Sequence, residues 1–349
     1  METRPLSLSE EIVTPLLYWY AENRRILPWR EDPTPYHVWI SEIMLQQTRV
    51  EAVKPYYTRF LEAFPTPAAL AQAEPDRLMK MWEGLGYYSR ARNLQKAAKV
   101  ITSEYGGALP ADLSLLRSLP GIGPYTAGAI ASIAFGIPAP AVDGNVLRVI
   151  SRFLGSEEDI SLPATVKKIT SLLAEIYPAD PDGASSMTQA LMELGATVCL
   201  PGGEPKCALC PLADLCRARA EGKTSSIPVK APKKPRTVGQ FTVLLLCCNG
   251  RYALSKRPEH GLLAGLWEFP NFPANLTEEE IRALPFGEHV LSVEPLPDAV
   301  HVFTHKEWHM TGFRCMLDTP VGPYLYLTKN EIGAEYAVAS AFRAYKNEL

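Results

Sequence analysis

The sequence predicts two domains of different class, an all-α domain over 1–223 and an α+β domain over 241–349, joined by a basic linker at 224–240. Three observations carry this. Apolar residues recur every three or four positions as far as Val198, the spacing of one helix face. No convincing strand precedes residue 237. From there β-prone runs separated by turn residues take over.

In order, the helical stretches are 8–23, 36–64, 94–105, 125–135, 146–154, 165–177 and 186–198, most of them parted by Pro or Gly. The linker holds Lys230, Lys233, Lys234 and Arg236, no acid and several prolines, and reads as an extended, solvated spacer. Beyond it, 241–248 and 251–257 flank Asn249-Gly250, a hairpin signal. Thr277-Glu-Glu-Glu280 has capping-box form ahead of Ile281 and Leu284. Strands are expected over 289–296, 299–304 and 307–317, and a last helix over 337–346. No fixed-period repeat is present.

The 349 residues include 35 Lys+Arg and 38 Asp+Glu, a formal charge of −3 that counts against an obligate nucleic-acid binder. The average hides a division: −3 over 1–223, +4 over 224–240 and −4 over 241–349. With 47% hydrophobic and 21% charged residues the chain is neither disordered nor collagen-like. No apolar run is long enough to span a membrane, and Met1–Glu11 lacks the basic start and apolar core of a secretory signal. Of seven cysteines, Cys247, Cys248 and Cys315 sit in apolar runs and read as buried thiols. The odd count points to a reducing setting, hence a cytoplasmic location.

The other four form the pattern Cys199-x7-Cys207-x2-Cys210-x5-Cys216, flanked by Lys206, Arg217 and Arg219. Thiolates this close in sequence can converge on one centre. A closed tetrahedral zinc site and a [4Fe–4S] cluster both fit the spacing; four unligated thiols is the plain alternative. A second motif is the turn Leu119-Pro-Gly-Ile-Gly-Pro-Tyr-Thr-Ala127 between two helices. Gly121 and Gly123 admit backbone conformations closed to other residues, and Pro124 suits a first helical turn. The exposed amides of such a helix start can hold a phosphate oxygen; a tight αα-hairpin with no ligand fits equally.

Two acids stand in apolar company. Glu42 lies between Val38-Trp-Ile-Ser41 and Ile43-Met-Leu45, where desolvation would keep it protonated near neutrality, as a general acid requires. Asp143, in Ala141-Val-Asp-Gly-Asn-Val146, is placed as an N-cap held ionised by backbone amides. One neutral and one charged carboxyl is the division of labour in glycosidic bond cleavage; two unrelated structural acids is the alternative. Gln46, Gln47, Thr48 and Arg49 continue the Glu42 helix. Gly84-Leu-Gly-Tyr-Tyr-Ser-Arg90 brings aromatics beside Arg90, Arg92, Lys96 and Lys99. That suits nucleic acid through stacking and phosphate contact, or a core aromatic pair beside a solvated helix face.

The string Leu119–Ile130 followed by Ala141–Val149 resembles the helix-hairpin-helix and catalytic Asp of the endonuclease III superfamily of DNA glycosylases. The four cysteines resemble that superfamily's [4Fe–4S] loop, here 199–216, with a first gap of seven residues where six is usual. Gly202-Gly203 can absorb the extra residue. Leu27-Pro-Trp-Arg30, 41–53 and 82–94 are similar to the adenine DNA glycosylase branch, and the likeness covers nearly all of 10–220. It implies that Glu42 protonates a flipped adenine and that Asp143 stabilises the sugar cation, with Tyr125 and Asn145 in support. It implies an adenine pocket including Trp29, Arg30 and Gln189. Gln47, Thr48, Leu85 and Tyr87 would fill the duplex and touch an opposing 8-oxoguanine. Where bifunctional relatives carry a lysine stands Tyr125, so a monofunctional enzyme is expected. A monovalent or divalent cation at the Gly121–Gly123 turn is a further implication.

The second domain resembles the family's Nudix-like C-terminal domain through Gly261–Pro270, but without the acidic helix that would hold Mg²⁺, so no pyrophosphatase activity is expected. His301-Val-Phe-Thr-His305 resembles the loop that reads 8-oxoguanine, with Phe303, Thr304 and His305 as contacts and Thr304 where Ser is usual. A strand-end turn carrying two histidines is the plain reading of those residues. The expected partner is duplex DNA with an 8-oxoguanine:adenine or guanine:adenine mispair, bound by a monomer away from any membrane. Two rivals are a thymine-glycol or abasic-site lyase, which Tyr125 argues against, and a non-catalytic mismatch binder, which the Glu42 and Asp143 pair argues against.

Overall fold

Eight residues of the helix Pro35–Leu45 are buried, among them every position from Val38 to Met44, so this helix has no solvent face. Such an all-round apolar helix can only be central. Thr34 starts it by accepting from the His37 amide, and Pro35 occupies the first turn. The computed structural model describes residues 10–232 and 235–349. Leu8 and Ser9 of the first expected helix, and Lys233 and Lys234 of the linker, lie outside the described residues.

The chain divides into two compact units. The first holds Glu10–Gln72 and Arg92–Pro232; the second holds Ala73–Ala91 and the chain from residue 235 on. The segment 73–91, which chain order puts within 1–223, therefore belongs to the second unit by its contacts.

In the first unit, helix Pro181–Thr197 is the hub. Helices Val13–Asn23, Pro124–Phe135 and Gly144–Leu154 pack on it, and Pro35–Leu45 packs on Pro124–Phe135. Leu16, Ile150, Leu173, Met187 and Leu191 are among its fully buried core residues. At roughly 1.5–3 kcal/mol for each large apolar side chain, this core dominates the unit's stability. The expected helix 36–64 is two, Pro35–Leu45 and Val50–Ala63. Gln47 adopts a positive φ of 57° and breaks the ladder, so Gln46–Arg49 form a kinked connection rather than a helix surface. The apolar spacing runs straight through the break, which is why periodicity alone misses it.

The second unit is built on a mixed sheet of order β3-β2-β1-β6-β5. Its strands are β1 (Thr237–Cys248), β2 (Arg251–Lys256), β3 (Trp267–Glu268), β4 (Asn271–Phe272), β5 (Val290–Val302), β6 (Lys306–Leu317) and β7 (Leu325–Leu327). β4 pairs with β1 and β7 with β2. The Asn249-Gly250 hairpin forms with both turn residues at positive φ. β1 runs parallel to β6 from Thr237 opposite Lys306 to Cys247 opposite Met316. The two strands expected over 289–296 and 299–304 are one, β5, with an irregularity between Leu296 and Ala299 that absorbs Pro297. The capping box at Thr277 and Glu280 is present. The last helix is shorter than expected: a 3₁₀ turn at Ser340–Phe342, then Arg343–Lys346. Helix Lys329–Ala334, with its own capping box at Thr328, went unread in the sequence.

Candidate active site

A cavity of about 510 Å³ in the first unit gathers nine of the expected residues: Glu42, Tyr125, Asp143, Asn145, Trp29, Arg30, Gln189, Gln47 and Thr48. Its lining mixes apolar walls with many polar and charged side chains, and its size suits a small-molecule-sized group.

Glu42 reaches it from the buried central helix and is only 6% exposed. Its Oε2 accepts a short hydrogen bond from the Tyr125 hydroxyl. Burial pushes the Glu42 carboxyl up to about 7; the Asp143 charge adds to this, and the Tyr125 bond and Arg30 oppose it. Tyr125, burdened by the same burial and the same two carboxyls, is pushed well above its usual value and stays a neutral donor.

Asp143 caps helix Gly144–Leu154 as expected. Its Oδ1 accepts from the amides of Asn145 at 2.9 Å and Val146 at 2.8 Å, and its Oδ2 from Asn145 Nδ2 at 2.7 Å. These bonds favour its ionised form, as expected, but they do not act unopposed. Burial pushes the carboxyl up, outweighing those bonds and Arg148. Asn145 is fixed from behind: its Oδ1 accepts from Arg148 Nη2 at 2.9 Å, and Arg148 Nε donates to the Cys199 carbonyl at 2.7 Å. A Cβ built on Gly195 would lie 2.5 Å from the Asn145 Cβ, so only glycine lets helix Pro181–Thr197 approach this closely.

The lining also holds a charged pair that the sequence reading did not single out, Glu193 and Arg25. Glu193, 1% exposed, accepts from Arg25 Nε at 2.6 Å and Arg30 Nη2 at 2.8 Å. Burial raises its carboxyl, but the two guanidiniums prevail and hold it below the usual range. Glu193 stands in Leu191-Met-Glu-Leu194, the same signal of an acid among apolar neighbours that exposed Glu42. Around them, Gln189 accepts from the Tyr20 hydroxyl at 2.9 Å and the Trp29 ring meets Tyr57 edge-on at 5.5 Å.

The hairpin turn lies between helices Leu113–Ser118 and Pro124–Phe135. Gly121, at φ 77°, is in the left-handed region, and a Cβ there would strike Asn93 at 2.6 Å. Gly123 is not: its φ is −86°, within reach of any residue. What it contributes is space, since nothing lies within 4 Å of its would-be Cβ and no side chain caps the helix start. The amides of the first turn are thereby left open.

The expected 8-oxoguanine contacts Leu85, Tyr87, Phe303, Thr304 and His305 fall in the second unit. Leu85 is buried, while Tyr87 is 46% exposed at a positive φ of 46°. The Tyr87 hydroxyl meets Thr304 Oγ1 at 3.0 Å, the turn hydroxyl between β5 and β6. Phe303 leans on Trp308 with centroids 5.0 Å apart, and Thr304 and His305 are exposed. Arg90 is no surface cation: it is buried, lies over the Trp82 and Tyr87 rings, and donates to the Leu85 and Gly86 carbonyls. Lys96 and Lys99 are exposed, as a phosphate-facing patch would need.

Cys199, Cys207, Cys210 and Cys216 line one separate cavity walled by Val149, Phe153, Leu194 and Leu212. Burial and the three neighbouring sulfurs push the Cys210 thiol up to about 11. Arg152 Nη1 donates to Cys199 Sγ at 3.3 Å. Among the described residues no three His, Cys, Asp or Glu side chains close up as the ligands of one ion.

A family model described as HhH-GPD superfamily base excision DNA repair protein matches residues 40–179, and a NUDIX domain model matches 242–348. An adenine DNA glycosylase of Homo sapiens is 35% identical, with 95% of this chain and 73% of that one covered. One from Buchnera aphidicola subsp. Schizaphis graminum is also 35% identical, over 85% of this chain and 84% of its own. Among solved structures, a thermostable thymine-DNA glycosylase superposes with a TM-score of 0.55 and 29% identity over 61% of this chain and 97% of that one. A trapped endonuclease III–DNA covalent intermediate with an estranged adenine gives 0.51 and 26%, over 62% and 99%.

Proposed function

The chain belongs to the adenine DNA glycosylases of the HhH-GPD superfamily, hydrolases of N-glycosyl bonds in base excision repair, and from that premise we propose that it removes adenine mispaired with 8-oxoguanine or guanine in duplex DNA. The observation that carries the reading is a carboxyl pushed up to about 7, Glu42, sharing one cavity with a second carboxyl, Asp143.

The chemistry follows from what each group can do. The adenine leaves the base stack and enters the cavity against Trp29, Arg30 and Gln189. Glu42, protonated near neutrality and held through Oε2 by Tyr125, gives its proton to a ring nitrogen as the glycosidic bond breaks. The leaving base is then neutral. Positive charge developing on the sugar is stabilised by ionised Asp143, which Asn145 and two amides hold in place. Water completes hydrolysis, directly or by resolving an aspartyl adduct. Tyr125 cannot form a Schiff base, so the enzyme is monofunctional.

DNA phosphates bind at the open amides following Gly123 and on Lys96 and Lys99, with a monovalent or divalent cation at the same turn. Tyr87 and Thr304 read the 8-oxoguanine, with Phe303 and His305 beside them. Cys199, Cys207, Cys210 and Cys216 line one apolar-walled cavity and supply the four thiolates that a [4Fe–4S] cluster takes. Bound there, the cluster would cross-link the loop and add a redox-active centre.

Single-turnover adenine release from a duplex with adenine opposite 8-oxoguanine tests the reading. Release by the wild type is expected; release of thymine glycol in its place would sink the reading. Absorbance at about 400 nm, lost in Cys210→Ser, tests the cluster against colourless zinc.

A further inference from the structure

We propose that Lys346, on the C-terminal helix, is a positioning residue that sets lesion specificity by holding the Tyr87 loop through Glu83. This rests on the proposed reading of Tyr87 as an 8-oxoguanine contact.

The segment 73–91 is tied to the rest of the second unit by ions. Lys256 Nζ meets Asp76 Oδ1 at 2.6 Å. Lys346 Nζ meets Glu83 Oε1 at 2.6 Å, and Lys80 Nζ meets Glu83 Oε2 at 2.7 Å while also donating to the Tyr336 carbonyl at 3.2 Å. Both Glu83 oxygens are thus occupied. The three side chains are only 18–24% exposed, so water screens them less than a surface pair.

Glu83 is also where helix Pro75–Trp82 ends. Gly84 at φ 105° and Gly86 at 68° adopt the next turns freely, but Tyr87, with a full side chain, sits at 46° and needs external support. A non-glycine residue stays in that region only when its surroundings over-determine it. Arg90, downstream, holds the Leu85 and Gly86 carbonyls, and the Trp82 ring N–H, upstream, also donates to Gly86. Upstream, the ionic anchor is Glu83, and its partner Lys346 comes from the far end of the chain. Releasing that anchor would let the Tyr87 hydroxyl leave Thr304. Glu42 and Asp143 belong to the other unit and keep their own support.

The test measures single-turnover adenine release by the full chain from duplexes with adenine opposite 8-oxoguanine or opposite guanine. Lys346→Met should lower the 8-oxoguanine preference about five-fold and Glu83→Gln at least as much, each leaving the guanine:adenine rate within about two-fold, and the double variant should lose no more than Glu83→Gln alone, since that change already removes the Lys346 contact. Lys346→Arg should restore the preference. Unchanged preference in all variants, additive losses, or equal losses on both duplexes would overturn the proposal. A wild type that treats both duplexes alike would overturn the reading of Tyr87 itself; a discriminating wild type beside unchanged variants overturns the role of Lys346 alone.

Discussion

The base cavity and the Tyr87–Thr304 loops solve opposite problems. The cavity's key acid is 6% exposed on a helix with no solvent face; Tyr87 is 46% exposed at a strained φ. A proton donor must be desolvated to hold its proton near neutrality, and only a rigid core does that. A residue that reads a base must be reachable, so its precision comes from hydrogen bonds and ions around a loop. Burial makes the chemistry, and tethering makes the choice.

The largest expected effect lies in the cavity. Glu42→Gln and Asp143→Asn should each slow single-turnover adenine release about 1,000-fold. A loss under ten-fold on either would deny that acid its role and erase the contrast. Next comes Glu193→Ala, which strands Arg25 and Arg30 beside an empty site and should cost roughly 3 kcal/mol, read as a drop in Tm.

The pH response of Glu42 sharpens the comparison further. A general acid at about 7 must be protonated, so the rate should fall as pH rises through 7. The stability sign follows from the same shift. The folded state holds this proton more tightly than the unfolded chain, so stability declines as pH rises from about 4.5 to 7. Glu42→Gln removes that cost, on the order of 3 kcal/mol. The inactive variant should therefore melt above the wild type at pH 8 and match it near pH 4. The smallest effect belongs to the loops: Thr304→Ser keeps the hydroxyl that meets Tyr87, so the 8-oxoguanine preference should move by no more than about two-fold. A larger change would mean that the methyl is read too.

Sequence alone reached the cavity well because its signals are local. Glu42 stands out among apolar neighbours, Asp143 precedes a helix, and the hairpin glycines are adjacent. It missed Glu193 although the same local signal was present, and Gly195 and Arg148 because their roles appear only when two helices meet. The break at Gln47 was hidden by apolar spacing that continues across it. The Asp143 shift escaped because amides are legible in a motif and the depth of burial is not. The grouping of 73–91 with the second unit reflects contacts remote in sequence, and the segment carries the Glu83–Lys346 pair, whose partners are 263 residues apart. No window along the chain could contain both.

That separation has a consequence during synthesis. Every cavity residue and all four cysteines precede residue 217, so the base-cleaving pocket is complete in the nascent chain first. The parallel pairing of β1 with β6 waits for roughly another hundred residues. The Glu83 anchor waits for Lys346, which at roughly 5–20 residues per second is on the order of 10–50 s of translation. Until then the nascent chain would hold the base-cleaving pocket without the contact that steadies the Tyr87 loop.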